Sequence, residues 1–183
     1  MLLDVILLSF LFGYLRGGRI NKIPTFHKLS FLLVSILLQL ASVFLSELGG
    51  VLVSIAYVSI LAFFYANREH EDVRIFMIGW FLNALVIWAN LGRMPVDLEQ
   101  AEKLPFSVEP IVNGTDFKHT LLTDDTLLPF LADIMYMPFP IPRVISIGDL
   151  FIMLGAFLLV QRIMNKPISL IRLREGKNYA AKH

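Results

Sequence analysis

Apolar residues are concentrated in five long runs, which polar segments separate along the chain. An α-helix rises about 1.5 Å per residue, so roughly 20 apolar residues cross the bilayer core of about 30 Å. The first run is short, and we expect its helix to continue towards Ile20 or to lie in a thinner region of bilayer. The pattern therefore predicts about five transmembrane helices. The predicted spans are residues 1–15, 28–46, 51–66, 73–91 and 147–164.

The composition of the chain supports a membrane class. Of the 183 residues, 56% are hydrophobic and only 17% are charged, and the mean hydropathy is +0.69. A soluble domain usually carries about 25% charged residues. We therefore expect an all-α membrane protein with a single integral membrane domain over residues 1–183. It is predicted to be a bundle of about five transmembrane helices, with a structured outer loop at 92–146 between the fourth and fifth helices and a basic tail at 165–183.

The absence of cysteine and of complete chemical motifs excludes several functions. Without cysteine the chain cannot form disulfides, thiolate metal sites or iron–sulfur ligation. No histidine pair within the spans has ligand spacing, and no phosphate loop, zinc-protease helix or nucleophile elbow occurs. The net charge is +1, so no global field attracts nucleic acid. The sequence therefore predicts no cofactor, no metal and no nucleic-acid partner, and membrane lipids are the expected contacts.

The cations beside the spans predict the orientation, because cytoplasmic loops carry an excess of Lys and Arg. The first and third short loops and the segment after the fifth span are basic, whereas the second loop carries Glu47 and no cation. With five spans, the three basic segments lie on one side. We therefore expect the N-terminus outside and the C-terminus in the cytoplasm. The cations are Arg16, Arg19, Lys22, Lys28, Arg68, Arg74, Arg162, Lys166, Arg172, Arg174 and Lys177.

The long segment at 92–146 is expected to be folded, because it contains many aromatic and aliphatic residues. Residues 97–103 are predicted to form a short polar helix. Within 108–118, Asn113 and Gly114 are a two-residue turn signal, which predicts a hairpin whose first strand is weakened by Pro110.

The second half of this loop is predicted to contain an apolar helix. The residues at 124–126 have the composition of a helix cap, and 127–136 follow as a segment too short to span a membrane. We expect that segment to lie on the membrane surface or to cap the bundle. Pro138, Pro140 and Pro142 then predict an extended connection to the fifth helix.

Two motifs resemble a known family. The first, at 90–96, closes the fourth span, and the second comprises Asp133 and residues 138–149, which lead into the fifth. Together with Gly17 and Gly18 they resemble a bacterial family of small multi-pass membrane proteins known as a domain of unknown function. The resemblance covers most of the chain. It implies a protein of the bacterial cytoplasmic (inner) membrane, and it implies no particular activity.

Several polar residues are expected to converge at the outer end of the helices. They would form a pocket for a lipid head group, a quinone or a peptide, in which Arg143 holds an anion. The structural alternative is favoured: Ser146 and Asp149 have capping-box spacing at the start of the fifth helix, and Arg143 pairs with a carboxylate. The candidate ligand-binding residues are Asn90, His119, Asp133, Arg143 and Asp149.

Three amide side chains of the second and fourth predicted spans are candidates for contacts inside the membrane. Asn83 and Asn90 are seven residues apart and therefore share a helix face, which Gln39 of the second span is expected to oppose. Polar groups in a membrane usually face other helices. The favoured interpretation is hydrogen bonding between helices, and the alternative is a polar path or a contact to a quinone head group.

Three functions are compatible with this pattern. The first is an accessory or structural subunit of a membrane complex, acting with partner membrane subunits or as a homo-oligomer. The second is a lipid- or quinone-binding protein, or an enzyme on such a ligand, that uses the outer pocket. The third is a small transporter, which ranks last because five spans do not divide into an inverted repeat within one chain.

Overall fold

The computed structural model describes residues 2–20 and 24–170 of the chain. Over these residues the fold is mostly helical, with five long helices and two short ones. Met1, Lys22 and the tail cations Arg172, Arg174 and Lys177, which entered the predictions above, lie outside the described residues. The α-helices are α1 (Leu2–Leu15), α2 (Leu29–Phe44), α3 (Gly49–Ala66), α4 (Glu71–Ala89), α5 (Leu98–Ala101), α6 (Glu109–Val112) and α7 (Ile147–Ile163).

The five long helices pack side by side in the order α1, α7, α4, α3, α2. Each of the five predicted apolar segments coincides with most of one of them. We call the end where α3 ends and α4 begins the basal end, and the opposite end, where α4 ends and α7 begins, the loop end. Residues 90–146 lie at the loop end and connect α4 to α7.

The closest helix contact in the fold joins α4 and α7, where glycines let the two backbones approach. A Cβ atom on Gly79 would lie 2.5 Å from the carbonyl oxygen of Gly148. A Cβ atom on Gly148 would overlap the side chain of Asn83. About two helical turns after Gly148, a Cβ atom on Gly155 would lie 2.9 Å from the ring of Phe76. Small residues are required at these points because the backbones are nearly in contact.

Helices α1 and α2 bury polar and small residues and expose large apolar ones. The buried residues of α1 are Asp4, Ser9 and Gly13, and those of α2 are Ser35 and Ser42. This pattern is the reverse of a water-soluble helix, whose apolar stripe faces the core. Exposed side chains of α1 to α3 include Leu3, Leu7, Leu11, Leu15, Leu33, Leu37, Leu40, Val51, Ile55 and Val58.

Polar contacts join the helix ends at the basal end. The Arg162 guanidinium of α7 donates to the Asp72 carboxylate of α4 at 2.8 Å. Asn67, which is fully buried after α3, donates to the carbonyl oxygens of His27 and Phe63 and accepts from the backbone N–H of His27. These contacts fix the start of α2 against the α3–α4 turn and the end of α7 against α4.

Four short strands form two small sheets in the connection at the loop end. Strand β1 (Met94–Val96) pairs in parallel with β2 (His119–Leu121), and β3 (Met135–Met137) pairs antiparallel with β4 (Arg143–Ile145). The loop is therefore structured, but the prediction of an all-α protein omitted these strands. They form because backbone groups of a connection packed onto the helices must find partners.

The predicted hairpin at 108–118 is wrong. Residues Glu109–Val112 form helix α6 instead, and the chain turns after it at Asn113 and Gly114. Pro110 explains the difference, because proline has no N–H to donate to a strand pair but is well suited to the first turn of a helix.

The predicted helix at 127–136 is also wrong. Only Pro129–Leu131 form a turn of 3₁₀ helix, and the chain then extends into β3. Strand β3 is determined by its pairing with β4, a contact that local pattern does not reveal. The short helix predicted at 97–103 is confirmed as α5, where the Asp97 carboxylate accepts from the backbone N–H of Gln100 at 3.1 Å.

Gly148→Ala should destabilise the protein, because the new methyl group meets Asn83 and lies 2.8 Å from the carbonyl oxygen of Gly79. Overpacking of this kind costs about 1–3 kcal/mol. Thermal unfolding of the purified protein in detergent measures the effect. Gly50→Ala is the control, because a Cβ atom there meets nothing within 4 Å. Equal midpoints for the two variants would contradict the close α4–α7 packing.

Candidate binding site at the loop end

The start of α7 is held by a capping box, as its sequence predicted. The Ser146 hydroxyl accepts from the backbone N–H of Asp149 at 3.0 Å, and the Asp149 carboxylate accepts from the backbone N–H of Ser146 at 3.1 Å. Asn83 of α4 joins this pair: its amide donates to Asp149 at 2.9 Å and its oxygen accepts from the Ser146 hydroxyl at 2.9 Å. The predicted hydrogen bonding between helices is therefore present at Asn83.

A cavity of about 210 Å³ lies beside this network, between α2, α3, α4, α7 and the loop. The rings of Tyr57 and Trp80 form one wall and meet edge to face, with their centroids 4.9 Å apart. Gln39 of α2 also lines the cavity, so the amide predicted to oppose Asn83 does reach the same space. The remaining lining residues are Val53, Asn83, Ile87, Gly92, Met94, Lys118, His119, Asp133, Asp149 and Ile152.

Asp133 is the unusual member of this cavity. Its side chain is buried, and its Oδ1 atom has no hydrogen-bond partner among the described residues. The backbone holds it firmly: Asp133 N–H donates to the carbonyl oxygen of Pro95, and its own carbonyl oxygen accepts from Asp97 N–H, both at 3.0 Å. An unsatisfied buried polar atom costs about 1–3 kcal/mol, so its retention points to a role outside folding.

The surroundings of Asp133 favour its neutral form. Burial raises the pKa of the Asp133 carboxyl well above its ordinary value, and the nearby charge of Asp149 raises it further. The carboxyl therefore stays protonated to a higher pH than an exposed aspartate does. A charged or hydrogen-bonding partner in the cavity would change the ratio of the protonated to the ionised form of Asp133.

His119 enters the cavity from strand β2 as part of a dyad with Asp116. The two side chains meet at 3.0 Å between Nδ1 and the carboxylate, and the same carboxylate accepts from the backbone N–H groups of Lys118 and His119. Burial opposes ionisation of Asp116, but these hydrogen bonds outweigh it, so the pKa of Asp116 lies below its ordinary value. The Nδ1 atom of the His119 ring is therefore already engaged by the Asp116 carboxylate.

A second cavity, of about 310 Å³, shares His119, Asp133 and Asp149 with the first. Its other walls are residues 141–144 of the connection to α7. The three shared side chains therefore stand between two spaces, one among the helices and one among the loop segments. A ligand in either space would meet Asp133.

Arg143 lines the second cavity but is engaged in an ion pair. Its guanidinium donates to the Asp4 carboxylate of α1, with a 3.2 Å distance from Nη1 to Oδ1 and a closer contact from Nη2 to Oδ2. Both side chains are almost fully buried. The structural alternative for Arg143, pairing with a carboxylate, is therefore what the fold contains, and the pair ties α1 to the loop.

Asn90 lies apart from the cavity lining. Its amide donates to the carbonyl oxygens of Val86 and Leu127, both at 2.8 Å, and its oxygen accepts from the backbone N–H of Leu127 at 3.0 Å. It thereby fastens the loop to the end of α4. Of the five candidate residues, the fold brings His119, Asp133, Asp149 and Arg143 together and gives Asn90 this anchoring position instead.

Sequence reasoning missed Tyr57, Trp80, Asp4 and Asp116 as neighbours of the site. No sequence signal placed the rings of Tyr57 and Trp80 at one cavity. The spacing of Asp116 and His119, three residues apart, was a usable signal for the dyad. Asp4 meets Arg143 across 139 positions of sequence, a contact that only the tertiary fold determines.

Comparison with known proteins places the chain in a family. Residues 23–161 match the Family of unknown function (DUF5317). The chain belongs to this family. A protein of Thermotoga maritima described as an uncharacterized protein is 30% identical over 161 residues, which cover 86% of this chain and 89% of the relative. No solved structure matches the chain. The family resemblance drawn from the sequence motifs is thus confirmed, and the whole cavity lining lies inside the matched region.

Asp133→Asn should stabilise the protein at pH 8 and have little effect near pH 4. With its pKa raised in the fold, the wild-type carboxyl weakens the folded state as pH rises above the unfolded value of about 3.9. The amide removes that loss. Thermal midpoints at both pH values measure it, with the exposed Asp125→Asn as the control. A lower midpoint for Asp133→Asn at pH 8 would refute this reasoning.

Proposed function

We propose that this protein is a multi-pass membrane protein that binds the polar end of a small molecule or lipid in the cavity at its loop end. The observation that carries the proposal is Asp133, a buried carboxyl that lines a cavity between the helices and whose Oδ1 has no hydrogen-bond partner among the residues that the structure describes. Five spans, with the N-terminus outside, the loop end outside and the basal end in the cytoplasm, are part of the same proposal.

Helix length and surface chemistry support the membrane assignment. Helices α3 and α4, of 18 and 19 residues, are long and apolar enough to cross a bilayer, and α1 and α2 are shorter apolar helices. The exposed surface of α1 to α3 is dominated by leucine, isoleucine and valine, while Ser9, Ser35 and Ser42 are buried. Exposing such a surface to water is unfavourable by about 25 cal/mol per Å² of apolar area, whereas lipid removes that penalty.

The distribution of cations supports the proposed orientation. Arg16, Arg68, Arg74, Arg162 and Lys166 all belong to helix ends or turns at the basal end. An excess of Lys and Arg marks the cytoplasmic side of short loops. The loop end would then face the outside, together with the cavity and Asp133.

A second candidate is the accessory subunit of a membrane complex or a homo-oligomer. The observation that favours it is a set of large apolar side chains exposed on the loop, where Phe106, Phe130, Phe139 and Ile141 are each more than half exposed. Exposed apolar groups outside a membrane often mark a protein interface. Stoichiometric co-purification of another membrane protein would favour this candidate over ligand binding.

Native mass spectrometry of protein extracted from its own membrane should detect a retained small molecule or lipid. Val53→Phe should abolish that retention, because Val53 lines the cavity and the larger ring fills it. Val58→Phe is the matched control on the same helix, because Val58 is exposed on the outer surface of α3. Equal retention in the two variants, or no retained mass in the wild type, would count against the proposed site.

Single cysteines should report the proposed orientation without background, because the chain contains no cysteine. In intact cells, a membrane-impermeant maleimide should label Asp125→Cys in the loop and label Glu69→Cys at the basal end only after permeabilisation. Both positions are exposed, so accessibility within the fold is not limiting. Labelling of both variants in intact cells, or the reverse pattern, would overturn the orientation.

A further inference from the structure

The two acidic side chains of the cavity, Asp133 and Asp149, differ in how many hydrogen-bond partners they have. Asp149 accepts from Asn83 and from the backbone of Ser146, so its carboxylate belongs to the helix cap. Asp133 Oδ1 has no such partner within the part of the chain that the structure describes. The carboxyl group of Asp133, which lines the cavity, is therefore the acidic acceptor that remains available to a ligand.

We propose that the cavity receives the alkylammonium group of an organic amine, with Asp133 as its counter-ion and the rings of Tyr57 and Trp80 beside it. This inference rests on the proposed function and specifies the ligand class for the same cavity. An ammonium group would give the Asp133 carboxyl, which lines the cavity, a hydrogen-bond donor that none of the described residues provides to its Oδ1. It also supplies a positive charge between two acidic side chains.

The aromatic wall favours an organic cation over a neutral group. Tyr57 and Trp80 line the same cavity as Asp133. A cation held near the face of an aromatic ring is attracted by the electrons of the ring, and tryptophan is the strongest partner. A carboxylate combined with aromatic walls therefore matches an ammonium group better than a phosphate or a carboxylate.

A metal ion and an anion fit the site less well. In residues 2–20 and 24–170, no group of three or more histidine or acidic side chains is placed to hold a metal. Arg143, the residue expected to bind an anion, is paired with Asp4. Lys118 lines the cavity, but its ammonium nitrogen lies 5.3 Å from the centroid of the Phe117 ring, and Asp133 Oδ1 remains unsatisfied.

Binding of an ammonium group should release a proton. Burial raises the pKa of Asp133 and so favours its protonated form, whereas a cation beside the carboxyl stabilises its ionised form. Proton release should therefore decline as pH rises through the pKa of the empty site. The other titratable or charged groups that face the two cavities around Asp133 are Tyr57, Lys118, His119, Arg143 and Asp149.

Titration calorimetry on the full chain in detergent tests the ligand class with phenethylamine and its uncharged analogue 2-phenylethanol. We expect the amine to bind at least tenfold more tightly, with proton release seen as a dependence of the heat on the buffer. Asp133→Asn should weaken amine binding by about 30-fold, the effect of removing one partner of a buried charge pair. Asp125→Asn should leave it unchanged.

An amine supplied by a lipid is distinguished from a soluble amine in a second arm. The protein is reconstituted with phosphatidylethanolamine or with its N-acetylated, uncharged form, and retained lipid is measured by native mass spectrometry. Selective retention of the ammonium lipid, lost in Asp133→Asn, supports the proposal and assigns a lipid source. Tight binding of phenethylamine without lipid selectivity supports it and assigns a soluble source.

The outcomes that overturn the ammonium proposal are also defined. Equal binding of amine and alcohol, amine binding that survives Asp133→Asn, or no binding of any ammonium probe would each refute it. If the wild type then still retains another molecule that Val53→Phe expels, the proposed function stands and only the ligand class is wrong. If Val53→Phe changes nothing, both fail.

Discussion

The contact between α4 and α7 is the constraint on which the rest of the molecule depends. Gly79 and Gly148 bring the two backbones together, and this approach allows Asn83 to reach both members of the cap at the start of α7. The cap fixes Asp149, and strand β4 directly before it pairs with β3, the strand that follows Asp133. Helix packing, loop position and candidate site are therefore parts of one arrangement.

The candidate site combines well-satisfied and poorly satisfied groups. Asn83, Ser146 and Asp149 are hydrogen-bonded to one another, and Asp116 is hydrogen-bonded to His119. Among the described residues the Oδ1 atom of Asp133 has no partner and the pKa of its carboxyl is raised, although its backbone is anchored on both sides. A buried carboxyl of this kind in the lining of a cavity is unfavourable for folding alone and suits the proposed binding of a partner group.

The surface of the helices gives the proposed membrane environment its physical basis. Ser9 and Gly13 of α1 and Ser35 and Ser42 of α2 are buried, as close helix packing requires, and leucines are exposed, as the proposed lipid environment would allow. The ion pairs Asp72–Arg162 and Asp4–Arg143 lie near opposite ends of the helices, one basal and one at the loop. Both are largely screened from solvent by the protein, where the loss of one partner is costly.

The sequence by itself determined the five long helices, the capping box of α7, the short helix α5 and the family, because each depends on local period, local spacing or short motifs. It misassigned 108–118 and 127–136, where proline placement and the pairing of β3 with β4 outweighed turn signals and apolar pattern. Only the tertiary structure placed Tyr57 and Trp80 beside Asp133, paired Asp4 with Arg143, and set Asn90 apart as a loop anchor. The physical reason is that these contacts join residues far apart in the chain, and their geometry is set by how closely the helices pack rather than by any local preference.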